Sequence, residues 1–252
     1  MAAMREGRMR RRAPASAAGR LAFQHHRRHF GGGAEPWRAE VQVSDLADLA
    51  GRTQDVYARK GLQYDDERSR ALFERGWLDR FLALVPARAA ILDAGCGAGA
   101  PIAQYLIKQG CRLTGIDLSV PMLERARVRF PRARWLEADM RGLDLPDRFD
   151  GIVGWHSFFH LAPDEQRETL GRFAAHLRDG GALMLTVGPH ASEAIGHVGG
   201  EPVYHASLAP GDYETALRAL GMRIVRFVAE DPECDHASVL LAQKAEPGGR
   251  RR

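Results

Sequence analysis

The sequence of 252 residues has little cysteine: only Cys96, Cys111 and Cys234, with no Cys-x-x-Cys pair. This number and spacing argue against a disulfide framework and against a zinc site. We therefore expect a reducing, cytoplasmic setting, and we expect no metal ion. The chain also lacks an uninterrupted apolar run of the length that spans a bilayer, so we expect no membrane partner.

Positive charge is scarce in the central part of the chain, although the formal net charge of the whole is +4. Residues 1–38 carry nine Arg against two Glu, and residues 245–252 carry three Arg against one Glu, which leaves −5 for residues 39–244. A mildly acidic core without a basic face is poorly suited to bind a phosphate backbone. We therefore expect a small-molecule partner and no nucleic acid.

Both ends of the chain lack apolar periodicity. Residues 1–40 are rich in Arg, Ala and Gly, a composition that predicts a disordered basic tail, and residues 245–252 predict a second one. His25, His26 and His29 lie in the first tail. A solvated basic run explains these histidines better than a metal site does, because no supporting ligands are near them.

Residues 41–244 predict one domain, which we expect to be a monomer or a homodimer. After a helical stretch at 41–86, apolar strands alternate with helices, and the sheet ends in two strands too close in sequence for a crossover helix. The prediction is therefore a three-layer α/β sandwich of about seven mostly parallel strands with an antiparallel C-terminal hairpin. The strands are predicted at 89–92, 112–116, 133–136, 151–155, 182–187, 223–229 and 238–243.

A Gly-rich turn follows the first predicted strand, since residues 91–99 read Ile-Leu-Asp-Ala-Gly-Cys-Gly-Ala-Gly. Gly95 and Gly97 allow tight backbone conformations and let a ligand approach the main chain. Asp117 ends the next strand about twenty residues later, where a carboxylate can bind ribose hydroxyls. The pattern predicts a nucleotide site outside the strand ends, at the switch point of the sheet.

The turn alone does not settle which nucleotide binds. Gly95-x-Gly97-x-x-Ala100 also satisfies a relaxed dinucleotide fingerprint, so a nicotinamide-dependent oxidoreductase is an alternative. Three features disfavour it. Asp93 would repel a pyrophosphate but can receive an ammonium, directly or through water; a second acidic position, Asp139, follows the third strand; and the antiparallel hairpin departs from the usual dinucleotide sheet.

Residues 57–244 resemble the class I S-adenosylmethionine-dependent methyltransferases, which have a Rossmann-like domain. The resemblance implies S-adenosylmethionine as cofactor, methyl transfer as the reaction, and N-terminal helices that cover the cofactor at 41–86. It says less about the acceptor, which we expect to be a small molecule. The ordered set of motifs is more specific than any single one. Besides the Gly-rich turn, the set comprises Gly-Ile-Asp-Leu-Ser at 115–119, Glu-Ala-Asp-Met at 137–140, Phe-Asp-Gly-Ile-Val-Gly-Trp at 149–155 and Leu-Met-Leu-Thr-Val at 183–187.

The resemblance also implies which residues meet each part of the cofactor. The methionine part would lie on the Gly-rich turn, the ribose at the end of the second strand, the adenine between the second and third strands, and the sulfonium near the end of the fourth. In that order, the residues implied are Asp93, Gly95, Cys96 and Gly97; Asp117; Leu118, Met122, Asp139 and Met140; and Trp155.

The predicted reaction rim is Trp-His-Ser-Phe-Phe-His-Leu at 155–161, because it leaves the carboxyl end of a central strand. His156 or His160 could accept a proton at neutral pH, although a histidine that braces the loop is the alternative for His160. Related sequences usually carry Asp or Asn at the position of His156, so no role carries over there. The stretch lacks the Asn/Asp-Pro-Pro-Tyr/Phe motif associated with amino-group methylation of bases or glutamine, which disfavours those targets.

Residues 188–206 show no clear pattern, and we expect an irregular segment that covers the acceptor pocket. His190, Glu201, Tyr204 and His205 are its candidate acceptor contacts; a solvated loop is the alternative. A methyltransferase-like domain that binds cofactor or a protein without turnover also remains an alternative, since a fold does not determine a function.

Overall fold

The computed structural model describes residues 43–246. The predicted tail at 1–40, with its three histidines, and residues 247–252 of the second tail lie outside the described residues. The helices of the described part are α1 (Val43–Glu67), α2 (Arg75–Leu82), α3 (Ile102–Lys108), α4 (Val120–Arg129), α5 (Pro163–His176) and α6 (Pro210–Ala219). The strands are β1 (Ala90–Ala94), β2 (Arg112–Asp117), β3 (Arg134–Glu137), β4 (Phe149–Gly154), β5 (Leu177–Val187), β6 (Ser192–Val198), β7 (Glu201–Ser207), β8 (Met222–Asp231) and β9 (Ala237–Lys244).

Seven of these strands form one sheet, in the order β3-β2-β1-β4-β5-β9-β8. The first five are mutually parallel, and each pair is separated in the chain by a crossover. β9 runs antiparallel to both β5 and β8. This arrangement confirms the predicted Rossmann-like α/β sandwich with an antiparallel C-terminal hairpin.

The sheet buries apolar side chains on both of its faces, because helices cover each face. In β1, Ile91 belongs to a cluster with Phe81 of α2 and Leu106 of α3. Its neighbour Leu92 belongs to a second cluster with Phe173 of α5, since successive strand residues point to opposite faces. Each such side chain stabilises the fold by roughly 1.5–3 kcal/mol, which holds the carboxyl ends of the strands in register.

Residues 188–206 form most of a separate two-stranded sheet, so the prediction of an irregular segment was wrong. β6 and β7 pair antiparallel along their lengths. Gly199 and Gly200, with φ of 54° and 80°, connect them, as expected for a two-residue hairpin loop that is left-handed at both positions. The strand pattern was hard to see because Val198 is the only fully buried residue of β6; the Gly-Gly pair was the available signal.

Helix α1 packs on this hairpin. Its Leu49 lies in a cluster with Tyr204, and its Val56 lies in a cluster with Val203. Farther along, Gly61 lets α1 approach α4 so closely that a Cβ there would sit 2.9 Å from a side-chain atom of that helix. Neither α1, with 25 residues, nor any other helix of the described part is long and apolar enough to cross a membrane.

Candidate functional site

A cleft of about 1020 Å³, measured out to its open mouth, lies at the carboxyl ends of β1, β2 and β4. Parallel α/β sheets bind their ligands at this edge. α1, the Gly-rich turn after β1 and the loop after β4 form its walls. Most of the predicted cofactor and catalytic residues line it: Gly95, Cys96, Gly97, Asp117, Leu118, Met122, Asp139, Met140, Trp155, His156 and His160.

The turn after β1 brings backbone to the cleft surface. Gly95 and Gly97 have φ of 77° and 52°, a region that side-chain-bearing residues rarely adopt. The N–H of Gly95 donates to the carbonyl of Ile116 at 2.8 Å, which ties the turn to β2. A Cβ on Gly95 would lie 2.2 Å from Cβ of Ser157. Conformation and space therefore both require glycine at this position.

Asp117 is fixed in the cleft wall by two backbone donors. Its Oδ2 accepts the N–H of Gly97 at 2.7 Å, and its Oδ1 accepts the N–H of Ser119 at 2.8 Å. Burial raises the pKa of Asp117, and these backbone hydrogen bonds oppose the rise. Each carboxylate oxygen has a second lone pair, so Asp117 can still accept a hydroxyl while it shapes the Gly-rich turn.

Asp93 does not line the cleft, in contrast to the other predicted cofactor residues. It is 2% exposed, at the end of β1. Burial raises the pKa of Asp93 to about 7, with Arg68 opposing the rise and Asp117 adding to it. At neutral pH the carboxyl is therefore a mixture of the protonated and ionised forms, and it would act on a ligand ammonium through water or through space.

Arg68 is a cleft residue that was not predicted from the sequence. It follows α1, lines the cleft, and its Nη2 lies 3.1 Å from Oε1 of the buried Glu74. Burial lowers the pKa of Arg68, but Tyr64, Glu74 and Asp93 outweigh this effect and raise it. Arg68 is thus a fixed cation at the cleft. No motif signals it, because a lone arginine between two helices has no distinctive pattern.

Asp139 is already engaged by its neighbour Arg141. The backbone N–H of Arg141 donates to Oδ1 at 2.8 Å, and guanidinium Nη2 lies 2.7 Å from Oδ2. The same guanidinium reaches Oε1 of Glu165 at 3.1 Å. No motif in the sequence predicts this pair. A ligand group that uses Asp139 therefore shares the carboxylate with Arg141.

Trp155 carries an unsatisfied donor at the cleft. The side chain is 3% exposed and lines the cleft, and its indole Nε1 has no hydrogen-bond partner among the described residues. A buried donor without a partner costs about 1–3 kcal/mol, so such groups usually serve a ligand or water. Trp155 thus borders the cleft, while its Nε1 is itself buried.

The two predicted catalytic histidines have different surroundings. His156 has a left-handed backbone, with φ of 53°, and its N–H donates to Oγ1 of Thr186 at 2.7 Å. His160 ends a 3₁₀ turn, with its Nε2 3.0 Å from the hydroxyl of Tyr57 and its Nδ1 2.8 Å from the carbonyl of Tyr204. Burial lowers the pKa of His160 to about 4, so the ring is neutral at physiological pH.

The four predicted acceptor contacts do not line the cleft. His190 is exposed ahead of β6, Glu201 forms an ion pair with α1, and the hydroxyl of Tyr204 donates to a glutamate across the hairpin. The ring of His205 lies 4.6 Å from that of Phe159 in an edge-on contact. The hairpin packs behind α1 and the 3₁₀ turn, and those two elements form the wall instead.

Comparison with known proteins shows that this chain is similar to methyltransferases. Residues 91–181 match a family model described as a methyltransferase domain. An uncharacterized methyltransferase of Mycobacterium tuberculosis is 33% identical over 113 residues, which are 43% of this chain and 56% of that protein. A malonyl-[acyl-carrier protein] O-methyltransferase of Enterobacter lignolyticus is 34% identical over 45% of each chain. The chain spans about half the length of the curated relatives it matches.

The fold is also that of solved methyltransferases. The 1,6-didemethyltoxoflavin-N1-methyltransferase of Burkholderia thailandensis, solved with 1,6-didemethyltoxoflavin and S-adenosylhomocysteine, superposes with a TM-score of 0.62. The match covers 84% of this chain and 94% of that one, at 22% sequence identity. At this identity the likeness concerns the fold.

Proposed function

We propose that the chain is a class I S-adenosylmethionine-dependent methyltransferase that transfers the cofactor's methyl group to a small-molecule acceptor, a proposal supported by the match of residues 91–181 to a methyltransferase-domain model. One observation carries the proposal. The Gly-rich turn at the carboxyl end of β1 exposes its backbone to the cleft, and Asp117 at the end of β2 is hydrogen-bonded to that turn at Gly97. A nucleoside bound at this edge would meet both features at once.

The cleft fits the nucleoside half of S-adenosylmethionine. We propose that Asp117 accepts the ribose hydroxyls, because its remaining lone pairs are available beside the turn. Leu118 and Met122 supply apolar contact for the adenine, and Met140 lies in the same wall. Asp139 would hold the adenine edge while it keeps its ion pair with the neighbouring guanidinium.

The cleft also fits the amino-acid half. A carboxylate needs donors; Arg68 lines the cleft, and so does Trp155, whose buried indole N–H has no hydrogen-bond partner among the described residues. Asp93 lies opposite Val153 in the sheet, and Val153 comes two residues before Trp155 in the chain. The negative charge of Asp93 would favour the ammonium. We propose that these three residues bind the zwitterionic end of the cofactor.

The cofactor supplies an activated methyl group on a sulfonium. The contribution of the protein is then alignment of the acceptor with that methyl group and exclusion of water. α1 and the loop after β4 enclose the cleft where the acceptor would lie, through Thr53, Gln54, Tyr57 and His160. These side chains are polar and uncharged at neutral pH, which favours a small polar acceptor over a polyanion.

Two alternatives are weaker. A nicotinamide-dependent enzyme would have to place a pyrophosphate near Asp93 and Asp117, and the antiparallel β9 departs from the dinucleotide-binding sheet. A binding domain without turnover would not need the enclosed polar wall at Tyr57 and His160.

All three cysteines are free thiols, which supports our proposal of a reducing, cytoplasmic setting.

The test is calorimetric titration with S-adenosylmethionine, S-adenosylhomocysteine and NADH, with Asp117→Ala as the comparison variant. We expect micromolar binding of the first two ligands, loss of that binding in the variant, and no heat from NADH. Binding of NADH alone would overturn the proposal. Mass spectrometry of methyl-labelled products from small phenols, amines and carboxylic acids then tests turnover.

A further inference from the structure

Three elements meet at the acceptor side of the cleft through one chain of hydrogen bonds. The Nδ1 of His160 lies 2.8 Å from the carbonyl oxygen of Tyr204, on β7. A carbonyl only accepts, so Nδ1 carries the ring proton and Nε2 of the neutral ring is an acceptor. The hydroxyl of Tyr57, on α1, lies 3.0 Å from Nε2 and therefore donates to it.

This chain has a direction. The Tyr204 carbonyl fixes the tautomer of His160, and His160 fixes the proton of Tyr57. Because the proton of Tyr57 points at His160, its hydroxyl oxygen offers only lone pairs to the cleft, which both residues line. A group in the cleft that meets this oxygen must therefore donate a proton to it.

We propose that Tyr57 is a catalytic residue that receives the proton of a hydroxyl acceptor and passes its own proton to His160, so that this chain is an O-methyltransferase. The inference rests on the proposed function and deepens it, since it names the class of acceptor. It also gives His160 a role that operates only through Tyr57.

The proton balance is complete without a further reagent. The acceptor oxygen forms a bond to the methyl carbon as the bond from that carbon to sulfur breaks, and S-adenosylhomocysteine leaves. The acceptor O–H proton moves to the oxygen of Tyr57, and the Tyr57 proton moves to Nε2 of His160. The imidazolium keeps its Nδ1 hydrogen bond to Tyr204 and later releases the proton to solvent.

The low pKa of the half-buried His160 distinguishes hydroxyl acceptors from alkylammonium groups. The pKa of His160 is lowered to about 4 by burial. Such a weak base cannot take a proton from an alkylammonium, which has a pKa of about 10. A hydroxyl oxygen becomes strongly acidic as it gains the methyl group, so its proton moves readily even to a weak base.

The surroundings of the pair keep it in this state. Burial raises the pKa of Tyr57, with Tyr64 and Asp117 adding to the rise and Arg68 opposing it, so Tyr57 remains a protonated phenol. The ring of His160 faces that of Tyr57 at 5.2 Å and that of His205 on β7 at 5.0 Å. Of the two charged groups that act on Tyr57, Asp117 disfavours ionisation of the phenol and Arg68 favours it.

The test compares Tyr57→Phe and His160→Gln with the wild-type chain, using S-adenosylmethionine and three probes. These are an unactivated phenol, a primary alkylamine of similar size that is an ammonium at pH 8, and a nitrophenol that is already ionised at pH 8. With the phenol, we expect kcat to fall about 100-fold in each variant, while the KM for S-adenosylmethionine stays unchanged. With the nitrophenol, both variants should regain the wild-type rate, because no proton has to be removed.

The pH profile separates catalysis from packing. With the phenol, the variants should speed up about tenfold per pH unit below the phenol pKa of about 10, because only the phenolate reacts, whereas the wild-type rate should be nearly flat. Tyr105→Phe removes a hydroxyl on α3 that bonds Asp79 and does not line the cleft, so it should behave as wild type. Titration with S-adenosylhomocysteine verifies that each variant is folded.

The outcomes are distinct. Methylation of the alkylamine in preference to the phenol, or an unchanged kcat in Tyr57→Phe, would overturn the proton relay while leaving methyl transfer established. Failure of the wild-type chain to bind S-adenosylhomocysteine would overturn the proposed function and the relay with it, whereas binding without methylation of any of the three probes would overturn the relay alone.

Discussion

Arg68 is the cation at the cleft that a cofactor carboxylate would meet, and its only ion-pair partner among the described residues is Glu74. We therefore expect Arg68→Met to weaken binding of S-adenosylhomocysteine about 10–100-fold, because a hydrogen bond to a charged group contributes about that factor to an affinity. Binding of 5′-methylthioadenosine, which has the nucleoside but no amino-acid end, should not change. Calorimetric titration of both ligands measures the difference.

The matched control for this substitution is Arg75→Met. Arg75 pairs with Asp79 on the exposed side of α2, where its side chain is 71% exposed. It should bind both ligands as the wild type does. An equal loss of affinity for the two ligands in Arg68→Met would show that Arg68 supports the fold of the cleft and does not recognise the carboxylate.

Asp93 makes cofactor binding depend on pH. Its pKa of about 7 in the folded chain lies above the usual value of about 3.9 in an unfolded one. The ligand-free protein therefore holds an extra proton between about pH 4 and pH 7, and this group contributes less stability as the pH rises through that window. A bound ammonium favours the ionised form, so binding should release the proton.

The affinity for S-adenosylhomocysteine should accordingly increase about tenfold from pH 6 to pH 8 and change little above that. Asp93→Asn has no proton to release, so its affinity should be lower at pH 8 and nearly independent of pH. Calorimetry in two buffers of different ionisation enthalpy measures the proton directly. The same pH dependence in both proteins would show that another group is responsible.

The sequence predicted residues of the cleft only where positions close together in the chain form a recognisable motif. The Gly-rich turn and Asp117 are recognisable because their spacing follows from one strand-turn-helix unit. The bond between Tyr57 and His160 joins residues 103 positions apart, and it exists only because α1 folds over the loop after β4. Asp139 and Arg141 are close in the chain, but two side chains in a loop can adopt many geometries. Their pairing therefore could not be predicted from the sequence.

At the scale of elements, the sequence predicted the parallel strands well and the β6–β7 hairpin not at all. β1 is buried on both faces, so it reads as an apolar run up to Asp93. In β6, by contrast, exposed and half-buried residues alternate, and its apolar content is low. The stability of the hairpin comes from its packing on α1, which is 25 residues long and distant in sequence.

One side chain connects these two elements. Oγ1 of Thr53 on α1 accepts the backbone N–H of Tyr204 at 2.9 Å and donates to the carbonyl of Leu49. Thr53→Val keeps the shape but leaves the Tyr204 N–H unpaired in a buried position, at a cost of about 1–3 kcal/mol. We expect Tm to fall by about 2–10 °C, and the Tyr204 amide to exchange its hydrogen faster.

Thr53→Ser is the control, since serine retains the hydroxyl. It should keep the slow amide exchange at Tyr204 even if it loses some packing. Equal exchange rates in Thr53→Val and in the wild-type chain would contradict the idea that this bond fastens the hairpin to α1.

At the scale of the whole molecule, the cleft is built from segments that the fold brings together, so a ligand there should stabilise the entire domain. S-adenosylhomocysteine at 100 times its Kd should add about 2.7 kcal/mol and raise Tm by about 5–10 °C. The shift depends on Gly95, since the carbonyl of Ala94 before it accepts the hydroxyl of Ser157 at 2.6 Å and joins the turn to the loop after β4.

Gly95→Ala should therefore lose most of this ligand-induced shift. Its Cβ would lie 2.2 Å from that of Ser157, and alanine disfavours the φ of 77°, so the turn and the loop after β4 must move apart. Gly211→Ala is the matched control, because a Cβ there meets nothing within 4 Å. Thermal melts of the three proteins with and without ligand decide the matter: a full shift in Gly95→Ala would mean that the ligand stabilises the domain without the backbone of this turn.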